Sequence, residues 1–388
     1  MDARPNDLLE QLDRHLASPQ QSWLFGAGIS KSANIPLMFP LTERVLELER
    51  EPAHKTVLDA LRAELPENAH VEHLLSHLGD YAALAERSRN NKTRIADSEV
   101  SLADLNAIHG QLLSDIANII RWGYQPETKK SGEVGQAITE VSEHKNFVSV
   151  LFNTTQAGLR ERRGPVHLFT TNYDTLLEDA LALAGVSCWD GFSGGAVAFR
   201  SHRFGDPVDT GGHRAVLVKL HGSIDWHQDD DGHVWRVRDG DTYPRRELRV
   251  LIYPQATKYR ATQRDPFATQ FELFRRVLNS TSDNTFAVCG YSFGDEHINQ
   301  EIQLAMARPE SRTTLLAFCM EGEAGLPETL SKWRGSGWAE RLFCITQRGL
   351  YVGDEGPHFA PEDGKTHAWW TFDGVTQLLR DGAEGCIR

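Results

Sequence analysis

A chain of 388 residues with formal net charge −13, 40% hydrophobic residues, 24% charged residues and 32 glycines has room for one large α/β domain plus an added module, since single cores stop growing near roughly 250–300 residues. The composition excludes a low-complexity or disordered chain. The acidic balance argues against coating nucleic acid as the main role, which needs clustered Lys and Arg to release counterions.

The first stretch is polar and helical in pattern, with Leu8, Leu9, Leu12 and Leu16 at helical spacing and no apolar core of a signal peptide. No run approaches ~18 apolar residues, so neither export nor membrane spanning is expected. The cysteines, Cys188, Cys289, Cys319, Cys344 and Cys386, are scattered and form no Cys-x-x-Cys pair. A disulfide framework or cysteine zinc knot is therefore not expected, which fits a reducing cytoplasm.

Trp23-Leu24-Phe25 reads as a short strand before a glycine-rich turn. From about Leu41 to Gln156 the pattern is mainly helical, carried by Val45, Leu46 and Leu48, then Val57, Leu58 and Leu61, then Leu74, Leu75 and Leu78, then Leu112, Leu113, Ile116, Ile119 and Ile120. Beyond it short β-rich runs recur, at Val166 to Thr171, Ala215 to Leu220, Leu248 to Tyr253, Thr285 to Cys289 and Thr314 to Phe318. Helical patterns at Thr175–Leu183, Pro266–Leu278 and Asp295–Met306 separate some of them, which predicts a mostly parallel sheet of βαβ units. Gly191–Gly195 and Gln228–Asp241 read as loops or a hairpin insertion. After about residue 350 a C-terminal extension carries Trp369, Trp370, Phe372, Val375, Leu378 and Leu379, a stripe suited to packing on the body or on a partner.

Four turns that follow strands could carry chemistry. Gly26-Ala27-Gly28-Ile29-Ser30 has small residues that would let backbone N–H groups approach a pyrophosphate, with a helix dipole behind them, although a tight turn without ligand reads equally well. Phe169-Thr170-Thr171-Asn172-Tyr173-Asp174 ends a strand where open α/β sheets place ligands, and Asp174 alone would suit a helix cap. Lys219-Leu220-His221-Gly222-Ser223 puts a histidine, whose pKa suits proton transfer, at another strand end. Cys289-Gly290-Tyr291-Ser292-Phe293-Gly294-Asp295 repeats the strand-to-turn pattern.

In this order and at these separations the quartet GAGIS, TTNYD, LHGS and GYS resembles the sirtuin-like NAD-binding fold, over roughly Trp23 to Phe318. The resemblance implies a Rossmann-like α/β domain spanning about 1–350, with a helical insertion at about 41–160. It further implies that Gly26, Ala27, Gly28 and Ser30 bind the pyrophosphate of NAD, that Asn172 of the Thr171-containing segment holds the nicotinamide ribose and orients a water, and that Asp174 contacts the carboxamide. His221 would act on the ribose hydroxyls as a base, and Gly290 and Ser292 would touch the adenosine side.

The departures narrow the reading. Deacetylating sirtuins usually carry a four-cysteine zinc module that has no counterpart here, and the usual G-I-P-x-F-R segment appears as Ala33-Asn34-Ile35-Pro36-Leu37-Met38-Phe39-Pro40 without its Gly and Arg. Zinc-free, helix-inserted chains are similar to NAD-hydrolysing effectors of bacterial antiphage defence. That likeness implies a metal-independent NAD glycohydrolase, homo-oligomeric and acting with a HerA-like ATPase. A zinc-free deacylase, a non-catalytic NAD or ADP-ribose sensor and an inactive scaffold for a DNA-associated motor are the rival expectations. His70, His73 and His77 share a helical face, and His227 and His233 flank Asp229-Asp230-Asp231; both groups read as structural or solvated.

Overall fold

The computed structural model describes residues 5–159, 163–208, 211–229, 231–238, 249–251, 266–362 and 364–387. Its centre is a nine-stranded sheet. In chain order the strands are β1 (Gln21–Phe25), β2 (Val166–Thr170), β3 (Cys188–Trp189), β4 (Ala215–Lys219), β5 (Asn284–Cys289), β6 (Thr313–Phe318), β7 (Leu342–Thr346), β8 (Gly349–Val352) and β9 (Glu355–His358). Across the sheet they run β9-β8-β7-β6-β5-β1-β2-β4-β3, parallel from β7 to β3 and antiparallel at the β8 and β9 edge.

Strands β1, β4, β5 and β6 are buried along their whole length, which explains why they read as continuous apolar runs and not as alternating ones. Side chains alternate between two helical layers. Trp23 and Phe25 enter a core shared with Phe147, Phe152, Trp369 and Phe372, whereas Leu24 faces the core of Phe271, Phe274, Ile298 and Trp333. The first layer includes the helices Ser142–Thr155 and Phe372–Asp381, the second Phe267–Leu278 and Glu296–Met306. Burying one such side chain contributes on the order of 1.5–3 kcal/mol. The architecture is a Rossmann-like α/β fold.

The region between β1 and β2 forms a further core around the helices Met38–Glu47, Pro52–Ala63, Val71–Glu86 and Leu102–Trp122. Small hairpins at Lys92–Ser101 and Tyr124–Ser131 interrupt it. Tyr173, Leu176 and Ile224, which belong to the sheet domain, are buried within this core. The insertion therefore packs directly on the turn after β2.

Two sequence expectations are corrected and one open alternative is resolved. The run Leu248 to Tyr253 does not join the parallel sheet: Arg249–Leu251 pairs antiparallel with Gly222–Gln228 in a separate five-stranded sheet, and residues 248, 252 and 253 lie outside those described. Of the loop and hairpin alternatives for Gly191–Gly195 and Gln228–Asp241, the hairpin holds: Phe192–Gly194 pairs antiparallel with Val197–Arg200, and Val234–Val237 with Gly222–Gln228, all within that sheet. The turn after β1 does not open directly into an α-helix but into one 3-10 turn, Ala27–Ser30. Asn34 follows in the left-handed region (φ 62) and Ile35 precedes Pro36, so the chain cannot continue helically there.

His167, half-buried on β2 with its ring stacked along Phe169, is held by desolvation at a pKa of about 4. A histidine depressed from its ordinary value stabilises the fold above that ordinary value and loses the contribution as pH falls through the folded one. Stability should therefore drop between about pH 6.5 and 4, this residue accounting for at most about 3 kcal/mol. Urea midpoints of the parent and of His167→Gln should converge as the pH falls; an unchanged gap would remove this assignment.

Candidate active site

Four neighbouring parallel strands end at one edge of the sheet, and each releases one motif. Phe25 is in register with Cys289 on one side and Thr170 on the other, and Thr170 with Lys219. Backbone bonds continue past the strand ends: Gly26 N donates to Cys289 O (3.1 Å), Thr171 N to Phe25 O (3.0 Å) and Leu220 N to Thr170 O (2.8 Å). From β1 the chain moves outward to β2 and β4, then returns to the opposite side of β1 as β5. This reversal is the switch point at which open α/β sheets leave a ligand crevice.

The glycines of the first and fourth motifs serve each other. A Cβ on Gly26 would lie 2.6 Å from Gly290 O and from Tyr291 Cα, and one on Gly28 would lie 2.8 Å from Gly290 Cα. Gly28 N donates to Gly290 O at 2.8 Å. Gly290 itself has φ +66, and its Cβ would meet Ile29 N at 2.6 Å. The two turns thus need glycine to interlock, whatever ligand they hold, while Ala27 and Gly28 remain exposed. Gly290→Ala should destabilise the protein by about 2–4 kcal/mol, combining left-handed strain with overpacking; a thermal midpoint equal to the parent's would contradict this reading.

Inside the edge a hydrogen-bond chain orients Asn172. Ser30 Oγ donates to Asp174 Oδ2 (2.8 Å) and so spends its one proton. It accepts from Asn172 Nδ2 at 3.1 Å, which fixes the direction of that amide. Asn172 N is in turn held by Thr170 Oγ1 (3.0 Å). The amide oxygen, Asn172 Oδ1, is buried and has no hydrogen-bond partner among the described residues. Leaving a buried acceptor unsatisfied costs about 1–3 kcal/mol, a cost the fold alone gives no reason to carry.

Asp174 is engaged on both oxygens, because Oδ1 accepts from Leu176 N (3.0 Å) in the turn that opens the helix Leu176–Leu183. Thr171 is half-buried, its hydroxyl 3.4 Å from Phe25 O. Ser292 is exposed, and its hydroxyl accepts from Gly294 N.

His221 stands two residues beyond β4, as Asn172 stands two beyond β2, and it is 5% exposed. Gly222, with φ +84, turns the chain away from it. Ser223 Oγ (3.3 Å) and Ile224 N (3.0 Å) then donate to Tyr173 O, tying the histidine segment to the asparagine turn. The Nε2 of His221 lies 3.4 Å from Nε2 of His297, with the rings 23° from parallel.

Sequence reasoning missed the support beneath these residues. Lys219, 3% exposed, pairs with Glu178 Oε1 at 3.1 Å and donates to the carbonyl oxygen of Asp174. Arg238 Nε adds an ion pair to the buried Asp225 at 3.4 Å; burial and then Glu178 push the Asp225 carboxyl above the usual range. His144, fully buried against Phe372, has no hydrogen-bond partner on either ring nitrogen among the described residues. Desolvation lowers its pKa, and the charges of Asp174, Glu143 and Glu178 oppose that shift. Tyr173 OH donates to Glu72 of the helical insertion at 2.7 Å.

Of the other histidines singled out above, His77 Nε2 meets Glu64 at 2.6 Å and His73 Nδ1 accepts from His70 N at 3.2 Å. His233 lies beside Asp229 in an exposed turn, and His227 is buried.

Residues 166–336 match the family model of the SIR2-like domain. The chain therefore contains a sirtuin-like domain, and its function is NAD-related. The matched stretch begins at β2 and includes Asn172, His221 and the Gly290 turn; the Gly26–Ser30 turn and the helical insertion lie outside it. No curated protein matches the chain. Among the described residues no helix is long and apolar enough to cross a membrane.

Proposed function

We propose that the SIR2-like domain is a NAD glycohydrolase that releases nicotinamide and ADP-ribose. The observation that carries the reading is Asn172: a buried amide whose direction is set by Ser30 and Asp174, with an unpartnered acceptor at the switch-point edge. Such an acceptor fits the hydroxyl of a ribose or an attacking water. Exposed backbone at Ala27 and Gly28 would hold the pyrophosphate, and the Gly290–Ser292 turn the adenosine side.

NAD supplies the weak bond between nicotinamide and ribose, whose rupture develops positive charge on the sugar. The chain contributes orientation and fixed dipoles, which need no reorganisation during the reaction. Asn172 Oδ1 would accept from the group it positions. His221 would take up a proton as general base, a contribution worth typically ~10²–10⁴-fold. Lys219 acts at one remove, by holding the backbone of Asp174.

The reading extends to biology. Depletion of NAD suits an antiphage effector in the cytoplasm, assembled as a homo-oligomer and controlled by a HerA-like ATPase. NAD loss measured with the purified full chain, alone and with a candidate ATPase, tests both levels. Loss that appears only with the ATPase and vanishes in Asn172→Ala supports the complete proposal. Loss from the chain alone supports the enzyme and removes the need for the partner.

A further inference from the structure

We infer that His221, His297 and Asp295 form a divalent-metal site, of the kind that takes Zn²⁺, and that a bound ion silences His221. The ligand atoms of the three side chains all lie within 4.8 Å of one another. Two nitrogens bound to one tetrahedral zinc at 2.0–2.1 Å stand about 3.3–3.4 Å apart, and the two Nε2 atoms here are 3.4 Å apart. That spacing is long for an N–H···N hydrogen bond, whose mode is about 2.9–3.0 Å, and the ring planes lie 23° from parallel, with centroids 5.5 Å apart. The two ring nitrogens thus stand at the separation that one ion requires, with the carboxylate of Asp295 within reach.

The donor set has the right chemistry. Two imidazoles and a carboxylate suit zinc and other first-row divalent ions, and disfavour calcium or magnesium, which want oxygen ligands. The geometry is also held from both sides. His221 is buried at the end of β4. Asp295 and His297 begin the helix Glu296–Met306, whose start is fixed by Asn299 Nδ2 donating to Phe293 O at 2.7 Å and by Tyr291 OH donating to Asp295 O at 3.2 Å. Phe293 adopts φ 58 to make that turn.

Occupancy has a direct consequence. The lone pair on His221 Nε2 that would accept a proton is the one a metal ion would take, so the ion and the proton compete for one atom. A site of this kind makes zinc an inhibitor and not a cofactor. The inhibitory part rests on the glycohydrolase reading above; the binding part does not.

The test uses the full chain carrying His233→Ala, which removes the exposed Asp229, Asp231 and His233 group that could also bind an ion. After chelator treatment, Co²⁺ is titrated by its visible absorption and Zn²⁺ by calorimetry. One equivalent should bind, and affinity should fall at least tenfold in Asp295→Asn and in His297→Gln, with circular dichroism confirming that both variants fold. Zn²⁺ should raise the melting midpoint of the parent more than that of either variant. Undiminished binding in folded Asp295→Asn and His297→Gln, or no binding once His233 is replaced, overturns the site. In an NAD assay Zn²⁺ should inhibit the parent at concentrations at least tenfold below those needed for His297→Gln. Metal binding without any NAD loss, with or without the ATPase, would remove the glycohydrolase and keep the site; NAD loss indifferent to bound zinc would remove the silencing of His221 and keep the glycohydrolase.

Discussion

Asn172→Ala is expected to leave a folded protein that consumes NAD about 10²–10³-fold more slowly, the range found when one preorganised polar group is removed from a catalytic site. The side chain's bond to Ser30 Oγ, its one hydrogen bond among the described residues, contributes only about 0.5–1.5 kcal/mol to stability. Removing the unpartnered Oδ1 also relieves a buried acceptor, so the melting midpoint should hardly move. Ser30→Ala should fall between parent and Asn172→Ala, at roughly tenfold, because it keeps the amide but frees its direction. A Ser30→Ala enzyme at full rate would mean that the chain Asn172–Ser30–Asp174 has no part in positioning.

Lys219→Met should destabilise the fold by about 3–5 kcal/mol, the usual cost of removing one member of a buried ion pair. Glu178 would lose its cation at 3.1 Å, and the Asp174 carbonyl would lose a donor. The double variant Lys219→Met with Glu178→Leu should recover much of that loss, since replacing both charges by apolar groups is often neutral. Urea denaturation separates the cases. A loss below about 1 kcal/mol in the single variant would show that Lys219 is solvated and does not anchor the asparagine turn.

Legibility in the sequence followed range. Strands β1, β2, β4 and β5 are apolar runs closely followed by Gly, Asn or His, so both their existence and their ligand-side tips could be read locally, whereas β6 was legible as a run alone. The helical insertion was legible from spacing alone, as Leu112, Leu113, Ile116 and Ile120 on one long helix illustrate. The two-residue strand Cys188–Trp189 and the Gly-containing Phe192–Gly194 gave no such signal, because their pairing depends on partners elsewhere. Leu342–Thr346 sits in a stretch punctuated by Gly and Arg, and its strand character comes from β6 beside it.

The site divides in the same way. Asn172 and His221 stood out as polar residues at strand ends. The interactions that give them chemistry did not: Ser30 reaches Asp174 across 144 positions and His221 reaches His297 across 76. Lys219 read as the end of a strand, although its amine is one of the most buried cations among the described residues. The glycines were legible as close-approach positions, but the close partner proved to be the other glycine turn.

Product analysis of NAD incubated with the full chain and a candidate HerA-like ATPase, with and without an acetylated peptide, tests the central claim most directly. Hydrolysis at an Asn172-oriented site predicts nicotinamide and ADP-ribose in equal amounts, formed without peptide and absent from His221→Ala. NAD that binds yet stays intact, or that is consumed only with peptide to give an acylated ADP-ribose, would contradict it.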